Sequence, residues 1–111
     1  MDDQLPVINL NSTLGEILRR KPLISIVCPC YNEEPMLPLY YEAMERIVFS
    51  KLLTYDFELI LINDGSKDKT LSIIRALALK DERVKYISFS RNFGKEAAMY
   101  AGLTEAGGDW V

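Results

Sequence analysis

A chain of 111 residues, 49% hydrophobic and 26% charged, has the make-up of one small folded domain rather than a disordered tail. Thirteen Lys and Arg against sixteen Asp and Glu give a net charge of −3 with no long block of either sign, so the basic footprint of a nucleic-acid-binding protein is missing. No apolar stretch approaches the roughly 20 residues of a membrane span, and the acidic start Met1-Asp2-Asp3-Gln4 is unlike a signal peptide, which together read as a cytoplasmic chain.

Residues 1–22 stand apart as an N-terminal extension. Thr13-Leu14-Gly15-Glu16 matches a capping box, and Ile17-Leu18 before Arg19-Arg20-Lys21 predicts one or two helical turns with cations at the C-terminal end. Pro22 closes this leader. From Leu23 the pattern alternates between strand and helix. A strand is predicted over 23–30, then a helix over about 36–50 with Leu37, Tyr40, Tyr41, Met44, Ile47 and Val48 on one face. A second strand over 57–63 carries the continuous apolar run Leu59-Ile60-Leu61-Ile62, the mark of a strand buried on both faces. A helix over about 68–80 repeats Leu71, Ile74, Leu77 and Ala78, with Ser66 or Asp68 as its cap. A third strand spans 84–89. A helix from about Lys95 to Ala106 shows the small-residue face Ala97, Ala98, Ala101 and Thr104. Gly107-Gly108 ends it, and Asp109-Trp110-Val111 reads as the start of a fourth strand, as in a piece of a longer protein. This β-α-β-α-β-α-(β) order predicts an α/β fold, a Rossmann-like parallel sheet with helices on both faces. Cys28 and Cys30, two apart on one strand, project from the same face; the spacing favours buried thiols over a mutual disulfide, and the chain has no histidine to complete a zinc site.

Chemistry concentrates where the strands end, the place where open α/β sheets bind ligands. Asn63-Asp64-Gly65 delivers a carboxylate to the end of the second strand, able to accept from ribose hydroxyls or a base N–H. The same three residues also make a good turn, and both readings stand at this point. Pro29-Cys30-Tyr31-Asn32-Glu33-Glu34 ends the first strand: Tyr31 offers a stacking face and Glu33 an acceptor, while Glu33 and Glu34 equally suit the first turn of a helix, where the macrodipole favours acids. Gly94-Lys95 opens the third helix, a place where free N–H groups and a cation can meet an anion. Neither the Rossmann nor the P-loop glycine fingerprint is present.

Three segments taken together, ISIVCPCYNEE over 24–34, ELILINDGSKDKT over 58–70 and SRNFGKEAAMYAGL over 90–103, resemble the family 2 glycosyltransferases, in particular the dolichyl-phosphate mannose synthase and bactoprenol glucosyltransferase branch. The resemblance covers about 24–111. It implies the N-terminal half of a GT-A fold, strand order 3-2-1-(4), that binds a UDP- or GDP-linked sugar; the full-length enzyme would transfer the sugar with inversion to an acceptor such as a polyprenyl phosphate, at the cytoplasmic face of a membrane. Pro29, Tyr31 and Glu33 would then surround the nucleoside, Asp64 would bind base or ribose, and Gly94 and Lys95 would lie near the base or diphosphate. A divalent cation, Mg or Mn, is implied for the full-length enzyme, held by an Asp-x-Asp expected beyond Val111; residues 1–111 are expected to bind none and to be inactive alone. Two alternatives stay open: a receiver-like regulatory domain, for which the acidic pair falls at the wrong place, and a nucleotidyltransferase, for which a glycine- and arginine-rich first loop is missing. The free edge of the first strand predicts self-association.

Overall fold

The computed structural model describes residues 20–111. The helical turns expected around Thr13 to Arg19 lie outside the described residues. The chain runs β1 (Leu23–Cys30), α1 (Leu37–Ala43), β2 (Asp56–Asn63), α2 (Thr70–Lys80), β3 (Val84–Ser88) and α3 (Lys95–Glu105). The three strands are parallel in the order β1-β2-β3, with Val27 opposite Ile60 and Leu61 opposite Tyr86. On the far side of β1, Trp110 makes a parallel bridge to Ile24, and Ser25 N–H donates to the Trp110 carbonyl at 2.8 Å. The order is therefore 3-2-1 with the beginning of a fourth strand beside β1.

Each face of the sheet is covered. Leu59 and Leu61 of β2 and Cys30 of β1 pack with Leu37, Tyr41 and Phe49 on one side and with Ile74 and Leu77 of α2. Ile60 and Ile62 point the other way, onto Ala98 of α3. Both faces of β2 are thus dry, which accounts for its unbroken apolar run. Helix α3 comes close to the sheet because its contact residues are small: a Cβ on Gly102 would lie 2.3 Å from Val27 Cγ1.

The first helix departs from the expected 3.6-residue face. After Ala43 it continues as a π-helical stretch, Met44–Phe49, closed by Ser50 N–H donating to the Glu45 carbonyl five residues back. The wider turn rotates the register, so Ile47 stands 52% exposed and Phe49 takes the core position beside Phe57, their ring centroids 5.2 Å apart. In α3, likewise, the buried residues are Ala98 and Gly102 while Thr104 faces out. Its hydroxyl donates instead to the Tyr100 carbonyl.

Candidate functional site

The loops that follow β1 and β2 are fastened to one another before any ligand is considered. Asn32, at φ 53°, donates its backbone N–H to Ser66 Oγ, and its side-chain oxygen accepts the Lys67 N–H at 2.8 Å. Glu34 N–H donates to Asp68, and the Glu34 carboxylate accepts the Lys69 N–H in return. Glu33 N–H donates to Thr70 Oγ1, and Asp68 takes both the N–H and the hydroxyl of Thr70. Hydrogen bonding from Thr70 holds the Asp68 carboxyl below the usual carboxylate range. Asp68 is thus the side chain that serves the start of α2, while Ser66 serves the other loop.

These contacts revise the expectation for the acidic pair. Helix α1 begins only at Leu37, and Glu33 and Glu34 precede it in a turn whose Glu33 carbonyl accepts the Met36 and Leu37 N–H groups. Neither acid is a first-turn residue. Glu34 is spent on the neighbouring loop, whereas the Glu33 side chain lines open space.

Asp64 is 3% exposed, and its carboxylate is already engaged. Oδ1 accepts the Phe93 N–H at 2.8 Å; Oδ2 accepts the Gly94 N–H and the Asn92 side-chain amide, both at 3.1 Å. The Asn92 amide also reaches the Asp64 carbonyl. Gly65 makes room for this: it sits at φ +69°, and a Cβ there would lie 2.1 Å from the Arg91 carbonyl carbon. The loop over 91–94 is stiffened further by the Arg91 guanidinium, 4.7 Å from the Phe93 ring centre, and by the edge-on contact of Phe93 with Phe89. Gly94, at φ +107°, turns the chain into α3 and puts Lys95 first in the helix.

Pro29, Tyr31, Glu33, Asp64 and Lys95, drawn from three separate segments of the chain, consequently line one cleft of about 240 Å³ at the carboxyl ends of β1 and β2, with Cys30 as its remaining wall. Gly94 joins them through its bond to Asp64. A second, apolar hollow of about 440 Å³ shares Pro29, Cys30 and Glu33 and extends over Cys28, Met36, Leu39 and Tyr40. Sequence reasoning did not find that hollow. Cys30 is buried and its thiol is pushed up by the hydrogen bond with Cys28 and by burial, in keeping with a packing role.

Among the described residues no three His, Cys, Asp or Glu side chains gather to hold a metal, and both Asp64 oxygens face N–H donors.

Two buried carboxylates elsewhere escaped sequence reasoning. Glu58, at the opposite end of the sheet, accepts from Ser25 Oγ at 2.5 Å, Lys85 Nζ at 2.8 Å and Gly107 N–H at 2.7 Å. Burial opposes its ionisation, but these bonds outweigh it and hold the carboxyl at about 2. The cluster fastens the glycine pair after α3 against β1, with Gly108 N–H donating to Ser25 Oγ. Asp81 accepts from Tyr41 Oη at 2.6 Å and from the Arg83 guanidinium at two positions, tying α1 to the α2–β3 turn. A charged residue inside an otherwise apolar strand was the available signal for Glu58, since it requires a partner.

The glycosyl transferase family 2 model matches residues 25–111. The chain belongs to glycosyl transferase family 2. The prophage bactoprenol glucosyl transferase homolog of Escherichia coli (strain K12) is 51% identical over 88 residues, covering 79% of this chain and 28% of that protein. The bactoprenol glucosyl transferase of Shigella phage SfV matches to the same extent. The chain thus spans just over a quarter of the length of these curated relatives. Among solved structures, the mannosyltransferase PcManGT from Pyrobaculum calidifontis, in complex with GDP-Man and Mn2+, superposes with a TM-score of 0.67 at 21% identity, over 81% of this chain and 26% of that one. S. aureus TarS 1-349, in complex with UDP, gives 0.65 at 25% identity over 81% and 25%. The fold of this chain is accordingly the N-terminal, sheet-forming part of a GT-A glycosyltransferase.

Proposed function

We propose that residues 23–111 are the nucleotide-sugar-binding portion of an inverting glycosyltransferase that moves a sugar from a UDP or GDP carrier to a polyprenyl phosphate. The observation that carries this reading is the convergence of Pro29, Tyr31, Glu33, Asp64 and Lys95 on one strand-end cleft. The names of the two bactoprenol relatives support the lipid-linked acceptor, and a membrane-facing site of action follows from such an acceptor.

The chemistry fits the residues at hand. Transfer breaks the bond between the anomeric carbon and the diphosphate oxygen, forms a bond from the acceptor oxygen to the opposite face of that carbon, and leaves both electrons of the broken bond on the diphosphate. In this reading Tyr31 stacks on the base and Glu33 accepts from base or ribose. Lys95, on the first turn of α3, offers a cation to the diphosphate charge where the helix macrodipole also favours an anion. The described residues contribute binding and orientation, and no step of transfer is assigned to them. The test is saturation-transfer NMR with UDP-glucose and GDP-mannose on the 111-residue chain. Transfer to base and ribose protons of one of the two is expected; no transfer to either at millimolar ligand contradicts the proposal.

A further inference from the structure

The apolar hollow of about 440 Å³ beside the strand-end cleft holds both cysteines, in unequal positions. Cys30 is buried, and its thiol reaches the Cys28 carbonyl at 3.6 Å. Cys28, two residues earlier on the same face of β1, is half-buried and opens into the hollow. We infer that Cys28 is the nucleophile of a covalent modification site that takes a soft carbon electrophile with an apolar tail, an α,β-unsaturated alkyl aldehyde, the tail lying in the hollow. This inference stands apart from the nucleotide reading.

The hollow selects the tail. Its walls include Pro29, Met36, Leu37, Leu39 and Tyr40, and Met36 and Leu39 are themselves exposed, so the mouth is apolar as well. Its volume falls within the roughly 300–1,000 Å³ of small-molecule sites. The thiol supplies the bond. Hydrogen bonds from the Cys30 thiol, and next from the Tyr40 hydroxyl, hold the Cys28 thiol below its ordinary range, against burial and the Glu33 carboxylate. Both donors are pushed up, Cys30 chiefly by its bond with Cys28 and Tyr40 chiefly by burial, so they keep their protons while Cys28 gives up its own. On the β2 side the residue opposite Cys28 is Leu61, which carries no charge. A partly exposed thiolate is the reactive form of cysteine. The step needs no oxidant. Cys28 loses its proton to water, and the sulfur adds to the β-carbon of the aldehyde to form an S–C bond. The electron pair of the C=C bond moves onto the α-carbon and carbonyl oxygen, and this enolate takes a proton from water at the α-carbon. Pro29, Cys30 and Glu33 line both the hollow and the strand-end cleft, so an adduct on Cys28 adjoins whatever the cleft binds.

The test treats the reduced 111-residue chain with 2-nonenal and with 2-butenal, which share the reactive group and differ in tail length. Thiol adducts are placed by peptide mass spectrometry, and each rate is divided by that of glutathione under the same conditions. One adduct is expected, on Cys28, with 2-nonenal at least tenfold ahead of 2-butenal on this scale because its tail leaves water. The rate should reach half its maximum at a pH below the roughly 8.5 of a free cysteine. Cys28→Ser should slow thiol labelling at least tenfold. Tyr40→Phe and Cys30→Ala should each move the half-maximum to higher pH, since each removes a donor. Leu39→Gln, at the exposed mouth, should slow 2-nonenal at least threefold and leave 2-butenal unchanged. Should Cys30→Ala fail to fold, Tyr40→Phe and Leu39→Gln still decide. Adducts on Cys30 in preference to Cys28, equal normalised rates for the two aldehydes, or a half-maximum at or above that of a free cysteine would each overturn the inference.

Discussion

The carboxylate of Asp64 accepts the Phe93 N–H at 2.8 Å across 29 positions of sequence, and so joins the end of β2 to the loop that opens α3. Gly65 is the other half of the joint, because the loop backbone lies where its side chain would be. Gly65→Ala therefore combines a left-handed backbone angle with a collision against Arg91. We expect a loss of stability on the order of 3 kcal/mol, read as a lower urea midpoint with an unchanged slope. A loss below about 0.5 kcal/mol would mean that the loop over 91–94 lies elsewhere in solution.

Two carboxylates buried away from the strand-end cleft contribute to acid sensitivity. Glu58 is held at about 2 against an ordinary 4.5, and Asp81 at about 2 against 3.8. A carboxyl depressed by folding contributes stability above its unfolded value and loses it as pH falls through the folded one. Stability should thus be level above about pH 5 and drop between about pH 4.5 and 2, with Glu58 accounting for on the order of 3 kcal/mol. Glu58→Gln should be less stable at pH 7 and flatter across that acid range in urea melts. A variant as acid-sensitive as the parent would show that the Ser25–Glu58–Lys85 cluster does not persist in solution.

Element type and order could be read from the sequence because they rest on periodicity: the dry run from Leu59 to Ile62 marks a two-faced strand, and the i, i+3 spacing of Leu71, Ile74 and Leu77 marks α2. Alternation of strands and helices then leaves few topologies. The π-helical stretch was not legible, since one added residue per turn changes which of Ile47 and Phe49 is buried without changing composition. The site divides the same way. That strand-end residues converge follows from parallel topology, and five of them do line one cleft. What Glu34 and Asp64 are bonded to depends on a distant loop, Lys69 lying 35 positions from Glu34 and Gly94 lying 30 from Asp64, and no local pattern carries that information.

The outer edge of β1 bears on assembly. Beyond the Trp110 bridge at Ile24, residues 26–30 have no strand partner on that side among the described residues, and Met36, Leu39 and Trp110 are exposed. Pro29 removes one donor from the edge, which limits how far a second strand can zip along it. Concentration-dependent self-association of the 111-residue chain is expected by sedimentation equilibrium at micromolar concentration. A stable monomer with slowly exchanging amides along Ile26 to Cys28 would contradict it.

Whether the strand-end cleft takes a nucleoside diphosphate is decided most directly by titrating the 111-residue chain with UDP and GDP and mapping the backbone amides that shift. Saturable shifts are predicted at Cys30 to Glu33, at Asp64 and Gly65, and at Phe93 to Lys95, with a dissociation constant in the high-micromolar range or weaker, short of the roughly 8 kcal/mol of a micromolar complex. No saturable shift up to millimolar nucleotide, or shifts confined to the far end of the sheet around Asp56 and Arg83, would contradict a nucleotide site at these residues.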